Sequence, residues 1–303
     1  MNEAICQIVA ERVIQALDKG VVPWNKPWCD VCCSAVSYAT GKSYSLLNQF
    51  LLGRSGEYLT FQQAKRAGGC VKKGAKSSKV VFWSFLRYDE NGRLIKSNNK
   101  DVEVANTVPY LRYYNVFHID DCDGIEAKIK EEMPCGAMTN YDVEAIIERY
   151  AKDNGLTLKR EGKSNRACYG LLTDTVTIPM IEQFENTAEY YSTVFHELVH
   201  STGHESRLNR FDLSDKSQMS FGSDTYSREE LIAEIGAATI MATLGIETES
   251  QFANSVSYIG NWRNRIAEDN SLIVVAAGRA EKAIRMILGD SVSINVDENS
   301  ENE

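Results

Sequence analysis

The chain has 303 residues, 43% of them hydrophobic, and a formal net charge of −9. That apolar content excludes an intrinsically disordered chain, and the length allows one large domain or two ordinary ones. No stretch is long and apolar enough to span a bilayer, and the start MNEAICQIVAERV lacks the pattern of a secretory signal, so a cytoplasmic protein without a membrane partner is expected.

The charge is unevenly placed. Residues 1–120 hold 16 Lys and Arg against 10 Asp and Glu, a balance of +6, while 121–303 hold 17 against 32, a balance of −15. Two parts of opposite sign point to two domains with different partners. The eight cysteines are scattered and expected as thiols; CDVCC (29–33) has no second pair to complete a zinc knuckle.

In chain order, Ile5, Ile8, Val9, Val13, Ile14 and Leu17 share a helical face across 3–19. PWNKPW (23–28) is too proline-rich for a regular element. SYSLLNQFLL and TFQQAKRAG read as short helices, the second ending at Gly68-Gly69. Val80–Tyr88 is rich in β-formers, and Asn91-Gly92 signals a two-residue hairpin turn. Val108–Ile119 is a further strand. YDVEAIIERYAKDNG restarts as a helix, followed by strand candidates LTLKREG, ACYGLLTD and TVTIPM. Helices then run from about Asn186 and over roughly 227–244, 249–268 and 271–288. The fold class is α+β in two domains: an α+β module over 1–125, a linker over 126–140, a mostly helical domain with a small sheet over 141–290, and an acidic tail over 291–303 without a fold.

From Lys42 to Arg87, nine Lys and Arg face one acid, Glu57, with aromatics interleaved. Cations track phosphates, and exposed aromatics stack bases without much sequence preference. The candidate nucleic-acid contacts are Trp24, Lys26, Trp28, Lys42, Tyr44, Lys65, Lys72, Lys73, Lys76, Lys79 and Trp83. A solvated basic face over core aromatics accounts for the same composition, and the alternation in VVFWSF puts some rings inside.

The second domain carries FHELVHSTGH (195–204), which holds three of the chain's four histidines. His196-Glu197-Leu198-Val199-His200 is an H-E-x-x-H pattern. On a helix, i and i+4 share a face, so two imidazoles converge on one ion with Glu197 beside it as general base. Asn186 and Glu189 resemble a capping box, and Tyr191, Val194, Phe195, Leu198 and Thr202 form an apolar stripe roughly opposite the histidines. His204 lies eight residues beyond His196, roughly 12 Å along an unbroken helix. That is too far for a shared ion, which leaves it a capping or supporting role. YSREELIAEIGAATI (226–240) offers Glu230 and Glu234 one turn apart, and either serves as third ligand; Ser227 with Glu230 also reads as a helix cap. Glu229 is expected to be solvated, and Tyr226 is a candidate to steady an oxyanion. The metal is expected to be Zn²⁺ or another divalent ion. TVTIP is the candidate edge strand for a substrate backbone.

Residues 226–240 resemble the second helix of thermolysin-type gluzincins, which implies Glu230 as ligand and Glu234 as the partner that orients His196. Several stretches together carry a wider resemblance: PWNKPW, GKSYSLLN, YLTFQQAKRAGGCVKKGAKSSKVVFW, YNVFHID, FHELVHSTGHESRLNRF, YSREELIAEIGAA and YIGNWRNRIAEDNSLIVVAAGRAEKAIRMIL. They resemble the ArdC-like antirestriction proteins of plasmids and other mobile elements. That family implies an N-terminal single-stranded-DNA-binding domain, a C-terminal zincin-like metallopeptidase domain, and protection of incoming DNA from restriction. A protein substrate found at DNA, such as a restriction protein, is the implied second partner. The same residues admit a non-catalytic protein with a structural metal, or an acidic DNA mimic.

Overall fold

Residues 2–25, 34–95, 104–129, 140–162, 166–211, 224–246 and 256–289 are described by the computed structural model. The chain opens with α1 (Glu3–Leu17), whose Ile5, Val9, Val13 and Leu17 recur every fourth residue and are buried. A 3-10 turn, Pro23–Asn25, follows and encloses Trp24. Next come β1 (Ala35–Ser37), α2 (Leu46–Leu52), β2 (Gly56–Thr60) and α3 (Phe61–Arg66). A reciprocal cap starts α3: Thr60 Oγ1 accepts the Gln63 N–H at 3.2 Å, and the Gln63 side chain accepts the Thr60 N–H at 2.8 Å.

The first part is completed by β3 (Cys70–Val71), β4 (Ser78–Tyr88), β5 (Leu94–Ile95), β6 (Asn106–His118) and β7 (Cys122–Asp123). One sheet runs β1-β2-β6-β4-β5, parallel only between β1 and β2. β4 and β6 pair from Ser78↔Val116 to Tyr88↔Asn106. The turn after β4 is wider than the two-residue Asn-Gly turn expected. Asp89 pairs with Arg93 across its base (N–H to O, 3.0 Å), and the Asp89 carboxylate accepts the Asn91 and Arg93 N–H groups at 2.9 and 2.8 Å. Those bonds favour a three-residue loop, with Gly92 at φ 72° supplying its left-handed last position.

The second part comprises α4 (Asn140–Asp153), β8 (Thr157–Glu161), β9 (Cys168–Gly170), β10 (Thr175–Pro179), α5 (Thr187–Ser201), α6 (Asp224–Thr243), α7 (Val256–Glu268) and α8 (Leu272–Leu288). Its sheet runs β8-β10-β9, which corrects the expectation for TVTIP. β10 is the central strand, parallel to β8 along its length and antiparallel to β9 from Thr175 to Thr177. Val176 and Ile178 bury its inner face, while the shorter or more polar β8 and β9 take the edges.

One hydrophobic cluster runs through both parts. Val9, Trp24, Phe50, Val81 and Leu111 of the first meet Ile147, Phe195, Ile232 and Ile284 of the second. α1 packs on α7, and α2 on α8. Asn48, fully buried in α2, bonds the N–H and C=O of Val81 at 2.7 and 2.8 Å and so pins α2 to the free flank of β4. In the expected linker, the Lys128 N–H meets Glu57 at 2.7 Å and its ammonium meets the Tyr38 carbonyl at 2.8 Å. The acidic tail and the CDVCC cysteines lie outside the described residues. Among the described residues, Cys6, Cys70, Cys122 and Cys168 are free thiols, and no helix is long and apolar enough to cross a membrane.

Candidate metal centre

α5 carries the site. Asn186 Oδ1 accepts the Glu189 N–H at 2.9 Å and fixes the start of the helix. Tyr191, Val194, Phe195, Leu198 and Thr202 anchor its buried face. On the other face, His196 and His200 bring their Nε2 atoms to 3.1 Å, with rings edge to face. α6 supplies Glu230, whose carboxylate oxygens lie 3.6 Å from His196 Nε2 and 3.5 Å from His200 Nε2. The three donor atoms all fall within 4.8 Å of one another, on half-buried residues. Two imidazole nitrogens and one carboxylate suit a divalent ion of the Zn²⁺, Mn²⁺ or Co²⁺ kind.

The two helices must approach closely for this. Gly236 makes that possible, since a Cβ there would lie 2.7 Å from Val199 Cγ2. Ser227 is no N-cap: α6 already begins at Asp224, and the Ser227 hydroxyl accepts from Arg265. Glu234, one turn beyond Glu230, accepts the Tyr258 hydroxyl at 2.8 Å. Burial and the Glu234 charge together push the Tyr258 pKa well up, so it remains a donor. Burial opposes a charged His196, yet its hydrogen bond to Glu230 and the charges of Glu197, Glu230 and Glu234 outweigh that and hold its pKa above the ordinary value. The carboxylates of Glu197, Glu230 and Glu234 around His196 give the site a negative surplus that a dication would neutralise.

Glu229 overturns the expectation of a solvated acid. It is buried, faces His200 Nδ1 at 3.4 Å, and accepts from Arg210 Nε at 3.1 Å and Nη2 at 2.6 Å. Arg210 also donates to Thr202 Oγ1 at 2.6 Å and to the Val199 carbonyl at 2.8 Å. Burial raises the Glu229 pKa, but the hydrogen bonds with His200 and Arg210 win and hold it low. An ionised carboxylate at Nδ1 calls for the hydrogen on that nitrogen and leaves Nε2 for an ion. Helical spacing points Glu229 away from Glu230, and only the return of the chain after α5 buries it. That return is close: Gly203 abuts the Phe211 ring where a Cβ has no room. The side chain of the nearby Arg207 is buried too. It donates to the Ser201 carbonyl at 2.7 Å and to Asp174 Oδ2 at 3.0 Å, tying α5 to the start of β10. The sequence signal for both was R-L-N-R, two arginines close behind the histidines.

His204 lies past the helix end, with Nδ1 2.8 Å from Ser206 Oγ, and is not among the converging donors. The Tyr226 side chain lies outside the described residues, as do Lys26 and Trp28. Two other nucleic-acid candidates are corrected by burial. Pro23 opens a turn that lays Trp24 against α6, 1% exposed, with its N–H donated to Tyr258 at 3.4 Å; no base can reach it. Tyr44 is buried against Tyr58 and Phe82. Lys72 donates to the Asp120 carbonyl at 2.7 Å and lies 3.8 Å from Asp123. Lys42, Lys65, Lys73, Lys76, Lys79 and Trp83 are exposed.

Residues 3–117 match the family described as the N-terminal domain of anti-restriction factor ArdC, and residues 145–279 match a zincin-like metallopeptidase family. Over 295 residues the chain is 32% identical to DNA primase TraC of Escherichia coli, a match covering 92% of this chain and 26% of that protein. It is 33% identical to a second TraC of the same organism, covering 91% of this chain and 19% of the relative, so the chain spans about a quarter or less of both. Two crystal structures of the antirestriction protein ArdC of plasmid R388 share 30% identity with it. The metal-free form has a TM-score of 0.69 over 95% of this chain and 97% of that one; the Mn(II)-bound form has 0.70 over 95% and 98%.

Proposed function

Because the chain belongs to the ArdC antirestriction family, we propose that it is an antirestriction protein of a mobile element that binds single-stranded DNA with its first domain and cleaves peptide bonds with its second. The observation that carries the peptidase reading is the convergence of His196, His200 and Glu230 beside Glu197. Those three residues would hold a zinc ion; the R388 relative is known with Mn(II), and two imidazoles with one carboxylate suit either ion. When bound there, the ion supplies Lewis acidity toward a water molecule and a peptide carbonyl. Glu197, 9% exposed and on the same helix, would take a proton from that water and pass it to the leaving amine. Glu229 and Arg210 hold the His200 ring in orientation. With β10 enclosed, β9 is the edge beside α5 along which a substrate backbone would add by strand pairing.

The DNA reading is supported by the +6 balance of residues 1–120 and by the exposed Lys73, Lys76, Lys79 and Trp83. The protein substrate is proposed to be one that meets incoming DNA, such as a restriction protein, delivered by proximity on the strand. Metal analysis of wild type, His196→Ala and Glu230→Ala, with proteolysis of restriction proteins by wild type and Glu197→Gln in the presence and absence of single-stranded DNA, tests both halves. Metal in the wild type alone, and cleavage lost in Glu197→Gln with metal retained, is the expected result. Full metal content in Glu230→Ala overturns the ligand set. Antirestriction that survives Glu197→Gln overturns the catalytic role and leaves a DNA-binding protein with a structural ion.

A further inference from the structure

A cleft of about 380 Å³ opens between α1 and the start of β4. Its floor is apolar, from Ile8, Leu51 and Val81, and its rim is cationic, from Arg12, Lys76 and Lys79. The one acid among its lining residues, Glu11, accepts a hydrogen bond from the Gln7 side chain at 2.9 Å. Lys79 joins the cleft to an aromatic face. Its ammonium lies 5.6 Å from the Tyr113 ring centroid, and Val81 on the cleft floor pairs with Tyr113 across the sheet. Alternate residues of a strand share a face, so Trp83 and Phe85 follow Lys79 and Val81 on the same side. Tyr113, Trp83 and Phe85 are 46%, 44% and 55% exposed.

Cations around an apolar slot match the phosphate and the base of one nucleotide. Trp83 and Phe85 stand roughly 6.8 Å apart along the strand, twice the rise of about 3.4 Å between stacked bases of a duplex strand. Rings at that spacing meet an extended strand with its bases unstacked, and a duplex hides the base faces they would contact. We infer that the α1–β4 cleft seats one nucleotide of single-stranded DNA, with Arg12, Lys76 and Lys79 on its phosphate, and that the strand continues over Tyr113, Trp83 and Phe85. This rests on the single-stranded-DNA reading above and gives it a path and three further contacts, Arg12, Tyr113 and Phe85.

The test is fluorescence anisotropy of a labelled twelve-nucleotide oligo(dT) with the full chain across a salt series. Wild type binds. Arg12→Glu and Lys79→Glu should each weaken binding at least about tenfold and flatten the plot of log K against log salt by about 0.7 per lost phosphate contact. Tyr113→Ala and Trp83→Ala should weaken it by roughly 5- to 150-fold with the salt slope unchanged, the value of one stacked base. Lys152→Glu, on the exposed side of α4, should bind as wild type. All these positions are exposed, and unchanged melting midpoints separate lost contacts from lost fold. Wild-type affinity in Arg12→Glu, Tyr113→Ala and Trp83→Ala overturns the path and leaves the domain's DNA reading intact. A duplex of the same length binding as tightly as the single strand also overturns it. Absence of oligo(dT) binding by the wild type removes the reading and the path together.

Discussion

Removal of Arg210 probes how His200, a proposed metal ligand, is held. The Arg210 side chain is 4% exposed and that of Glu229 11%. Taking the cation away strands a buried carboxylate against His200. Breaking such a pair from one side costs about 3–5 kcal/mol, whereas replacing both members is far milder. Arg210→Met and Glu229→Gln should therefore each lower the unfolding free energy by about 3–5 kcal/mol. The double variant should lose less than their sum, with a coupling of about 2 kcal/mol. With a urea slope on the order of 3 kcal/mol per molar, each single midpoint falls by roughly 1–1.7 M. Arg210→Lys keeps the charge but not the two-pronged contact, so only partial rescue is expected. Both single variants should also bind Zn²⁺ about 10- to 100-fold more weakly in a chelator competition, because the His200 ring loses its orientation. Additive stabilities within about 0.5 kcal/mol, together with wild-type zinc affinity in Glu229→Gln, would refute the reasoning.

Gly236→Ala should cost about 1–3 kcal/mol in denaturant titration, because a stiff β-branched Val199 blocks the added methyl; Val199→Ala in the same chain should recover part of it. Asp174 experiences burial that raises its pKa, but hydrogen bonds from Arg207 and Tyr169 outweigh it and hold the carboxyl low. Its contribution is therefore present above the unfolded value of about 3.9 and lost as pH falls through the lower folded value. Asp174→Asn should be about 1.5–3 kcal/mol less stable than wild type at neutral pH, with the gap closing below about pH 4 in denaturation series. Trp24→Ala should cost about 3–5 kcal/mol and lower the melting of both domains in one transition, while oligo(dT) affinity of the folded protein stays at the wild-type level. Zinc at a hundredfold excess over its dissociation constant should add about 2.7 kcal/mol to wild-type stability and nothing to His196→Ala, read by thermal shift with and without chelator.

Local rules made the helices legible. The period of Ile5, Val9, Val13 and Leu17 marks α1, and the Asn186 cap with the stripe from Tyr191 to Thr202 marks α5 and fixes which face carries the histidines. What escaped was set by long-range packing. Glu229 sits one residue from Glu230, and nothing local distinguishes a solvated glutamate from one that meets an arginine 19 residues earlier. Trp24 belongs to a motif flanked by cations, yet its burial depends on α6, more than 200 residues later in the chain. The position of β10 could not be read from its own five residues, since an edge and a centre differ only in what pairs on the second side. The turn after Tyr88 departs from its Asn-Gly signal for a nearer reason, because the Asp89 carboxylate competes with that signal.

The apolar continuity between the two parts bears on how they would act together. A flexible tether would let the acidic second part drift from a bound strand, since −15 charges are repelled by phosphates. Here α1 packs on α7, α2 on α8, and Trp24 hands a hydrogen bond to Tyr258, which passes one to Glu234 on the helix that carries Glu230. A strand lying along β4 would therefore rest on elements that share a core with α5 and α6. Close packing leaves such a core little room to deform continuously, so the site of His196, His200 and Glu230 would stay at a nearly fixed distance from the strand. Selection for cleavage near DNA would then fall on the geometry between Val81 and Phe195, two residues of one cluster, and not on the length of a linker.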